Sequence, residues 1–130
     1  MASRILLVED NPSYTKLARL LLEHCGFRVE AAGTADEGIR IARETPPDLI
    51  LIDMHLTGMD GLQALAALKA EPGTRSVPAI ALTADRILDA SEVQAARRAG
   101  FVDFVEKPTN DVAFRDLLAP FLGRPAEPRD

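Results

Sequence analysis

Asp53 closes an unbroken apolar run, Leu49-Ile50-Leu51-Ile52, and a loop rich in turn-forming residues follows it. A carboxylate at the C-terminal edge of a parallel strand stands where open α/β sheets place their ligands and chemistry. A second apolar run, Ile5 to Val8, also ends on acids, Glu9 and Asp10, and two further runs end on Thr83 and on Glu106-Lys107. If these ends meet at one rim, three carboxylates crowd together. Such a group either keeps protons at raised pKa or holds a cation. Oxygen-only ligands at an open edge suit Mg²⁺, a hard ion that takes one or two carboxylates, waters and a phosphate. With one cysteine and two histidines, the chain has no zinc-ligand spacing. A divalent ion, a hydroxyl at Thr83 and an ammonium at Lys107 together form a receptor for a phosphoryl group. Asp53, central among them, is then the nucleophile and becomes an acyl phosphate. Taken alone, Lys107 is an ordinary solvated cation, Thr83 a strand-end hydroxyl and Asp53 a turn residue. The combination is what carries chemistry.

Positioning these residues requires strands that alternate with helices. The expected strands are Arg4 to Val8, Phe27 to Ala32, Leu49 to Ile52, Val77 to Leu82 and Phe101 to Val105. All-apolar runs suit strands covered on both faces, and the alternation in Phe27 to Ala32 suits a strand nearer the sheet edge. Asn11 before Pro12 announces the first helix, whose pattern runs Leu17, Leu20, Leu21 and His24 to a stop at Gly26. Thr34 with Glu37 forms a capping box for a second helix with Ile39, Ile41 or Ala42 inward, ending before Pro46-Pro47. Asp60 caps a third, with Leu62, Leu65, Ala66 and Leu68, which ends before Pro72-Gly73. A fourth helix falls between Asp85 and Ala99 and stops at Gly100. A fifth starts near Asn110 and is expected to kink or end early at Pro120. Five strands and five helices joined by short loops predict an α/β fold with a doubly wound, flavodoxin-like five-stranded parallel sheet in the order 2-1-3-4-5. In that order strands 1 and 3 are neighbours, so Glu9, Asp10 and Asp53 share one edge.

The chain has 130 residues, enough for one domain with its own core and too few for two. Its expected domain is 1–122; the tail 123–130, with no large apolar residue, is expected to be disordered. Net charge is −5, which argues against direct nucleic-acid binding, since phosphates are met by basic surfaces. The lone Cys25 lies in an apolar helical stretch and reads as a buried thiol in a reducing cytoplasm. No apolar run approaches membrane-spanning length, so no membrane partner is expected.

From Arg4 to Leu122 the sequence resembles the response regulator receiver domain of two-component and phosphorelay signalling, in its single-domain type. The residues that carry the resemblance are Glu9-Asp10, Asp53, Asp60-Gly61, Thr83 and Lys107-Pro108, with Phe104 where the family has its aromatic switch residue. The resemblance implies that Asp53 is the phosphoacceptor and that Asp10 and Asp53 ligate Mg²⁺ directly. Glu9 would act through water, and the backbone carbonyl of His55 would complete the protein ligands. Lys107 and an inward-turned Thr83 would contact the phosphoryl oxygens. Phe104 would then rotate, biasing a surface of helix 4, strand 5 and helix 5 toward a downstream protein partner. Ala84, small beside Thr83, would leave access to the site, and Pro108 follows Lys107 through a bond that is cis in the family. The side chain of His55 would tune the phosphoryl lifetime. Thr57 stands where the family usually has proline, a departure in the loop before the third helix. The implied phosphodonor is a histidine kinase or a histidine phosphotransfer protein, docking near Asn11, Pro12, Tyr14 and Leu17 and the loop after Lys107. The expected protein is a cytoplasmic regulator rather than an enzyme with turnover.

Three alternatives stand beside this reading. One is a receiver-like interaction module that works unphosphorylated. Another is a Mg²⁺-dependent aspartyl phosphohydrolase of the haloacid dehalogenase type. It is disfavoured, because those enzymes place a second acid two residues after the nucleophile, where this chain has His55, and need a cap this length does not offer. A flavodoxin-like cofactor binder would need a glycine-rich phosphate loop after the first strand, where Glu9-Asp10-Asn11-Pro12 stands instead.

Overall fold

Apolar runs of alternating orientation build a sheet buried on both faces. The protein's structure is a computed structural model, and it describes residues 3–54, 61–83, 89–107 and 111–122. Its strands are β1 (Arg4–Val8), β2 (Arg28–Ala32), β3 (Leu49–Asp53), β4 (Ala79–Thr83) and β5 (Phe101–Glu106). Between and after them run α1 (Pro12–His24), α2 (Ala35–Glu44), α3 (Gly61–Ala70), α4 (Ala90–Ala99) and α5 (Asp111–Leu122). The strands pair in parallel in the order β2-β1-β3-β4-β5, as the sequence predicts. Successive side chains point to opposite faces. Leu6, Val8, Ile50 and Ile52 therefore pack toward α2, α3 and α4, while Ile5, Leu7, Leu49 and Leu51 pack with Phe114 and Leu118 of α5 and the inner stripe of α1. Each such fully buried Leu or Ile contributes about 1.5–3 kcal/mol.

Local signals explain most of the boundaries. Asn11 Oδ1 accepts from the backbone N–H groups of Ser13 and Tyr14, and Pro12 occupies the first turn of α1 where no donor is missed. Thr34 caps α2 by accepting from the Glu37 N–H at 3.1 Å. Asp89 and Glu92 close a reciprocal capping box on α4. Gly26 and Gly100 take positive φ, 93° and 117°, the left-handed stops expected after α1 and α4.

Three expectations change. The inner stripe of α1 is Tyr14, Ala18 and Leu22, whereas Leu17 and Leu20 are exposed at 40% and 59%. The small Ala18 lets the helix approach the sheet, and the stripe one position away from it faces outward. β4 starts at Ala79, not Val77, because Pro78 has no N–H to donate to a ladder. α5 continues through Pro120 to Leu122. A proline in the last turn disturbs only the final hydrogen bonds, while Phe114 and Leu118 upstream are fully buried. Cys25 is buried as expected, and His24 is exposed. The Asp60 cap, Asn110 and the tail 123–130 lie outside the described residues, as do His55, Thr57, Ala84 and Pro108.

Candidate functional site

Strand register brings the site together. Val8 is level with Ile52, so Glu9, the next residue, emerges beside Asp53. Asp53 is level with Leu82, which sets Thr83 one step further along the same edge, and Thr83 is level with Glu106, just before Lys107. The backbone holds this rim: the Glu9 N–H donates to the Ala32 carbonyl, the Met54 N–H to Leu82 and the Lys107 N–H to Thr83, each at 3.0 Å. Gly61 opens α3 against the same strand end, donating to the Met54 carbonyl at 3.1 Å. A Cβ there would lie 2.8 Å from the Asp53 carbonyl oxygen and 2.9 Å from the Met54 Cα, so the packing of α3 on β3 requires glycine.

The side chains then converge. Carboxylate oxygens of Glu9, Asp10 and Asp53 lie within 4.8 Å of one another, in the only such His, Cys or acid cluster among the described residues. Glu9 and Asp53 are buried, at 2% and 5% exposure, and Asp10 is half-buried. The Lys107 ammonium reaches both buried acids, pairing with Glu9 Oε2 and lying 3.3 Å from Asp53 Oδ2. Glu9 Oε1 accepts from the Asn11 N–H at 3.1 Å, tying the acid to the cap of α1. Burial pushes the Glu9 carboxyl above its ordinary value and the charge of Asp53 adds to this; the Lys107 ammonium and the Asn11 amide pull the other way without cancelling it. Three carboxylates gathered at one edge, offering oxygen alone, suit a hard divalent cation such as Mg²⁺.

Thr83 is buried at 5% exposure, and its hydroxyl donates to the Val105 carbonyl at 3.3 Å. Phe104 lies half-buried on β5, with the Arg97 guanidinium of α4 at 5.3 Å from its ring centroid. An open cleft of about 360 Å³ borders the acids, lined by Glu9, Asp10, Pro12, Lys16, Arg19 and Gly33 among others.

One residue of the site escaped the sequence reading. Tyr14, expected on a docking surface, is instead buried, with its ring centroid 4.7 Å from Lys107 Nζ. Its hydroxyl has no hydrogen-bond partner among the described residues. Burial first, then the charges of Glu9 and Asp53, raise its pKa and keep the phenol protonated. The available signal was its place in the first turn of a helix capped by Asn11, four residues after Asp10.

Comparison with known proteins decides the family. The sequence matches the response regulator receiver domain across residues 5–119. The chain belongs to this family. The receiver is 32% identical over 123 residues to the polar-differentiation response regulator DivK of Brucella ovis, covering 95% of this chain and 98% of that protein. It is also 32% identical over 118 residues to the signal transduction histidine-protein kinase BarA of Shigella flexneri, covering 91% of this chain and 13% of that protein. The receiver therefore spans a small part of some curated relatives and nearly all of others. Among solved structures, the receiver domain of the sensor histidine kinase PA1611 from Pseudomonas aeruginosa PAO1, with a magnesium ion in its active site cleft, aligns with a TM-score of 0.84. That match has 31% identity and covers 95% of this chain and 99% of the other. This chain is accordingly a receiver domain of two-component phosphorelay signalling. No helix among the described residues is long and apolar enough to cross a membrane.

Proposed function

We propose that the receiver unit, 1–122, is a phospho-accepting switch in which Asp53 takes a phosphoryl group from a histidine kinase or a histidine phosphotransfer protein. The observation that carries this reading is the placement of Asp53: a buried carboxylate at the sheet edge, within reach of Lys107 and clustered with Glu9 and Asp10. A carboxylate oxygen of Asp53 forms the new P–O bond as the P–N bond to the donor histidine breaks, and the leaving imidazole keeps the electron pair and takes a proton. Asp10 and Asp53, with Glu9 through water and the His55 backbone carbonyl, would hold Mg²⁺, which would supply charge compensation at the transferring oxygens. Lys107 adds a second positive charge aimed at the same oxygens. Its pairing with both buried acids supports that role, because an ammonium already at Asp53 needs little rearrangement to meet a phosphoryl group there.

Phosphorylation replaces the Asp53 carboxylate with an acyl phosphate that carries up to about two negative charges, roughly one more than before. Thr83, whose hydroxyl now donates to Val105, turns to donate to the new oxygens, and Phe104 moves into the space it leaves. The surface of α4, β5 and α5 shifts population and changes its affinity for a downstream protein partner. Ala84 leaves access to the site, Pro108 modulates it from beside Lys107, and the His55 side chain has a modest effect on the phosphoryl lifetime. Exposed Leu17 and Leu20 on α1 support docking of the phosphodonor protein on that helix. We place the protein in the cytoplasm, acting through protein partners rather than through nucleic acid, membrane or substrate turnover.

The test is intact mass after incubation with a small-molecule phosphodonor, in Mg²⁺ and in chelator, for the native protein and Asp53→Asn. A Mg²⁺-dependent gain of one phosphoryl group, absent in the variant, is expected. No gain in any condition overturns the phosphoacceptor role and leaves a receiver that works unphosphorylated.

A further inference from the structure

Lys107 is held from three directions, and they are not equivalent. Glu9 Oε2 and Asp53 Oδ2 supply two of them. Both are carboxylates of the acid cluster, so a cation bound there would compete with the ammonium for the same two groups. The third is the face of Tyr14, with its ring centroid 4.7 Å from Nζ. A ring is no ligand for a hard cation and keeps its hold on the ammonium whatever the carboxylates engage. It is also well anchored: Tyr14 is 8% exposed and its N–H donates to the Asn11 cap.

Packing alone does not account for a tyrosine here. A buried phenol hydroxyl with no partner among the described residues is unfavourable, and leucine or phenylalanine would fill an apolar site without that penalty. What an aromatic ring offers over leucine is the negative face that Lys107 occupies.

We propose that Tyr14 is a positioning residue for phosphoryl transfer: its ring fixes the Lys107 ammonium beside Asp53 while the acid cluster is engaged by Mg²⁺. The inference rests on the phosphoacceptor reading of Asp53. It adds a contact between the first turn of α1 and the end of β5 that couples the helix expected to meet the donor protein to the lysine that meets the phosphoryl oxygens.

The experiment measures the rate of phosphoryl uptake from a small-molecule phosphodonor in saturating Mg²⁺ for the native protein, Tyr14→Leu and Tyr14→Phe, each also in a Lys107→Met background. The Lys107 ε-methylene proton shifts are read by NMR in parallel. Tyr14→Leu is expected to slow uptake by about three- to tenfold, the size of a partly desolvated ion–ring contact. It also removes the ring-current shift from Lys107. Tyr14→Phe keeps the ring and restores both the rate and the shift. In the Lys107→Met background Tyr14→Leu has no further effect, because its role passes through the lysine. Equal slowing in both backgrounds, or a phenylalanine variant as slow as the leucine one, overturns the inference. Uptake by the native protein with Tyr14→Leu equally fast overturns it alone, whereas no uptake by the native protein overturns the phosphoacceptor reading and takes this inference with it.

Discussion

Thr74, after α3, is buried as deeply as any acid at the sheet edge, yet nothing about it invites chemistry. Its hydroxyl donates to the Leu68 carbonyl. Beside it Lys69 Nζ donates to the carbonyls of Arg75 and Val77 at 2.9 and 3.3 Å, and Arg75 Nε donates back to the Lys69 carbonyl at 3.2 Å. These donors meet neutral acceptors within a few residues of themselves, so the α3–β4 connection is satisfied locally. The opposite holds at the rim. There, burial gathers three carboxylates from separate strands, the Lys107 ammonium pairs with two of them, and the Tyr14 hydroxyl lacks a partner among the described residues. Depth of burial does not separate the two regions. What separates them is the kind of partner: one region meets neutral acceptors close by in sequence, and the other gathers charged groups from separate strands, as a site for a charged ligand would.

The largest expected effect lies at the rim. Asp53→Asn removes the only carboxylate that the strand register sets between Glu9 and Thr83, and phosphoryl uptake should fall below detection while the far-ultraviolet circular dichroism stays native. The mirror experiment belongs to the closed cluster. Thr74→Val removes the hydroxyl donor to Leu68, whose carbonyl keeps the Glu71 N–H at 3.2 Å, at a cost of about 0.5–1.5 kcal/mol in urea unfolding. Phosphoryl uptake below the unfolding transition should not change. If Thr74→Val slows uptake, or Asp53→Asn unfolds the protein, the division between the two regions fails.

Glu9→Gln tests the gathering of charge. The Glu9 carboxyl lies above its ordinary 4.5 even with Lys107 beside it, so the fold binds this proton more tightly than the unfolded chain does. A group raised in this way stabilises the folded state below about pH 4.5 and loses that contribution as pH rises through the folded value. The glutamine variant, neutral throughout, should therefore melt higher than the native protein in chelator at neutral pH and show a flatter decline from acid to neutral. It should also gain less from added Mg²⁺. A variant that melts lower in chelator would mean that the Lys107 pair outweighs burial, and that the rim is closed like the α3–β4 connection.

The comparison also marks how much the sequence discloses. Apolar runs ending on Glu9, Asp53, Thr83 and Lys107 disclose the order of elements and most of the rim, because strand periodicity and sheet order together determine which ends are neighbours. Caps at Asn11 and Thr34 and the glycine stops are equally local, and so equally readable. The inner stripe of α1 was not: Leu17 and Leu20 satisfy a helical period as well as Ala18 and Leu22 do, and only the close approach of helix to sheet chooses between them. Tyr14 over Lys107 was hidden for a related reason, since the contact joins two ends of the chain through side-chain reach rather than through any repeat. The requirement for glycine at 61 is likewise legible only once α3 is seen against the backbone of Asp53 and Met54.

The smallest expected effect concerns Lys69, a cation handled in the manner opposite to Lys107. Its ammonium meets two backbone carbonyls, and burial alone lowers its pKa from 10.5. Lys69→Met keeps most of the packing of the stem, including the approach toward Gly100, and removes the two donated bonds. Because the residue is half-buried and water can take over part of their role, the cost should be about 0.5–1.5 kcal/mol. The pH dependence carries the sharper information. A lysine depressed in the fold binds its proton less tightly there than in the unfolded chain, so its stabilising contribution rises as pH climbs through the folded value toward 10.5. The stability gap between the native protein and Lys69→Met, measured by urea unfolding from neutral pH upward, should widen. A gap that closes instead would mean that positive charge, and not hydrogen bonding, holds the α3–β4 connection; Lys69 would then resemble Lys107, and local satisfaction would no longer distinguish the structural cluster from the functional one.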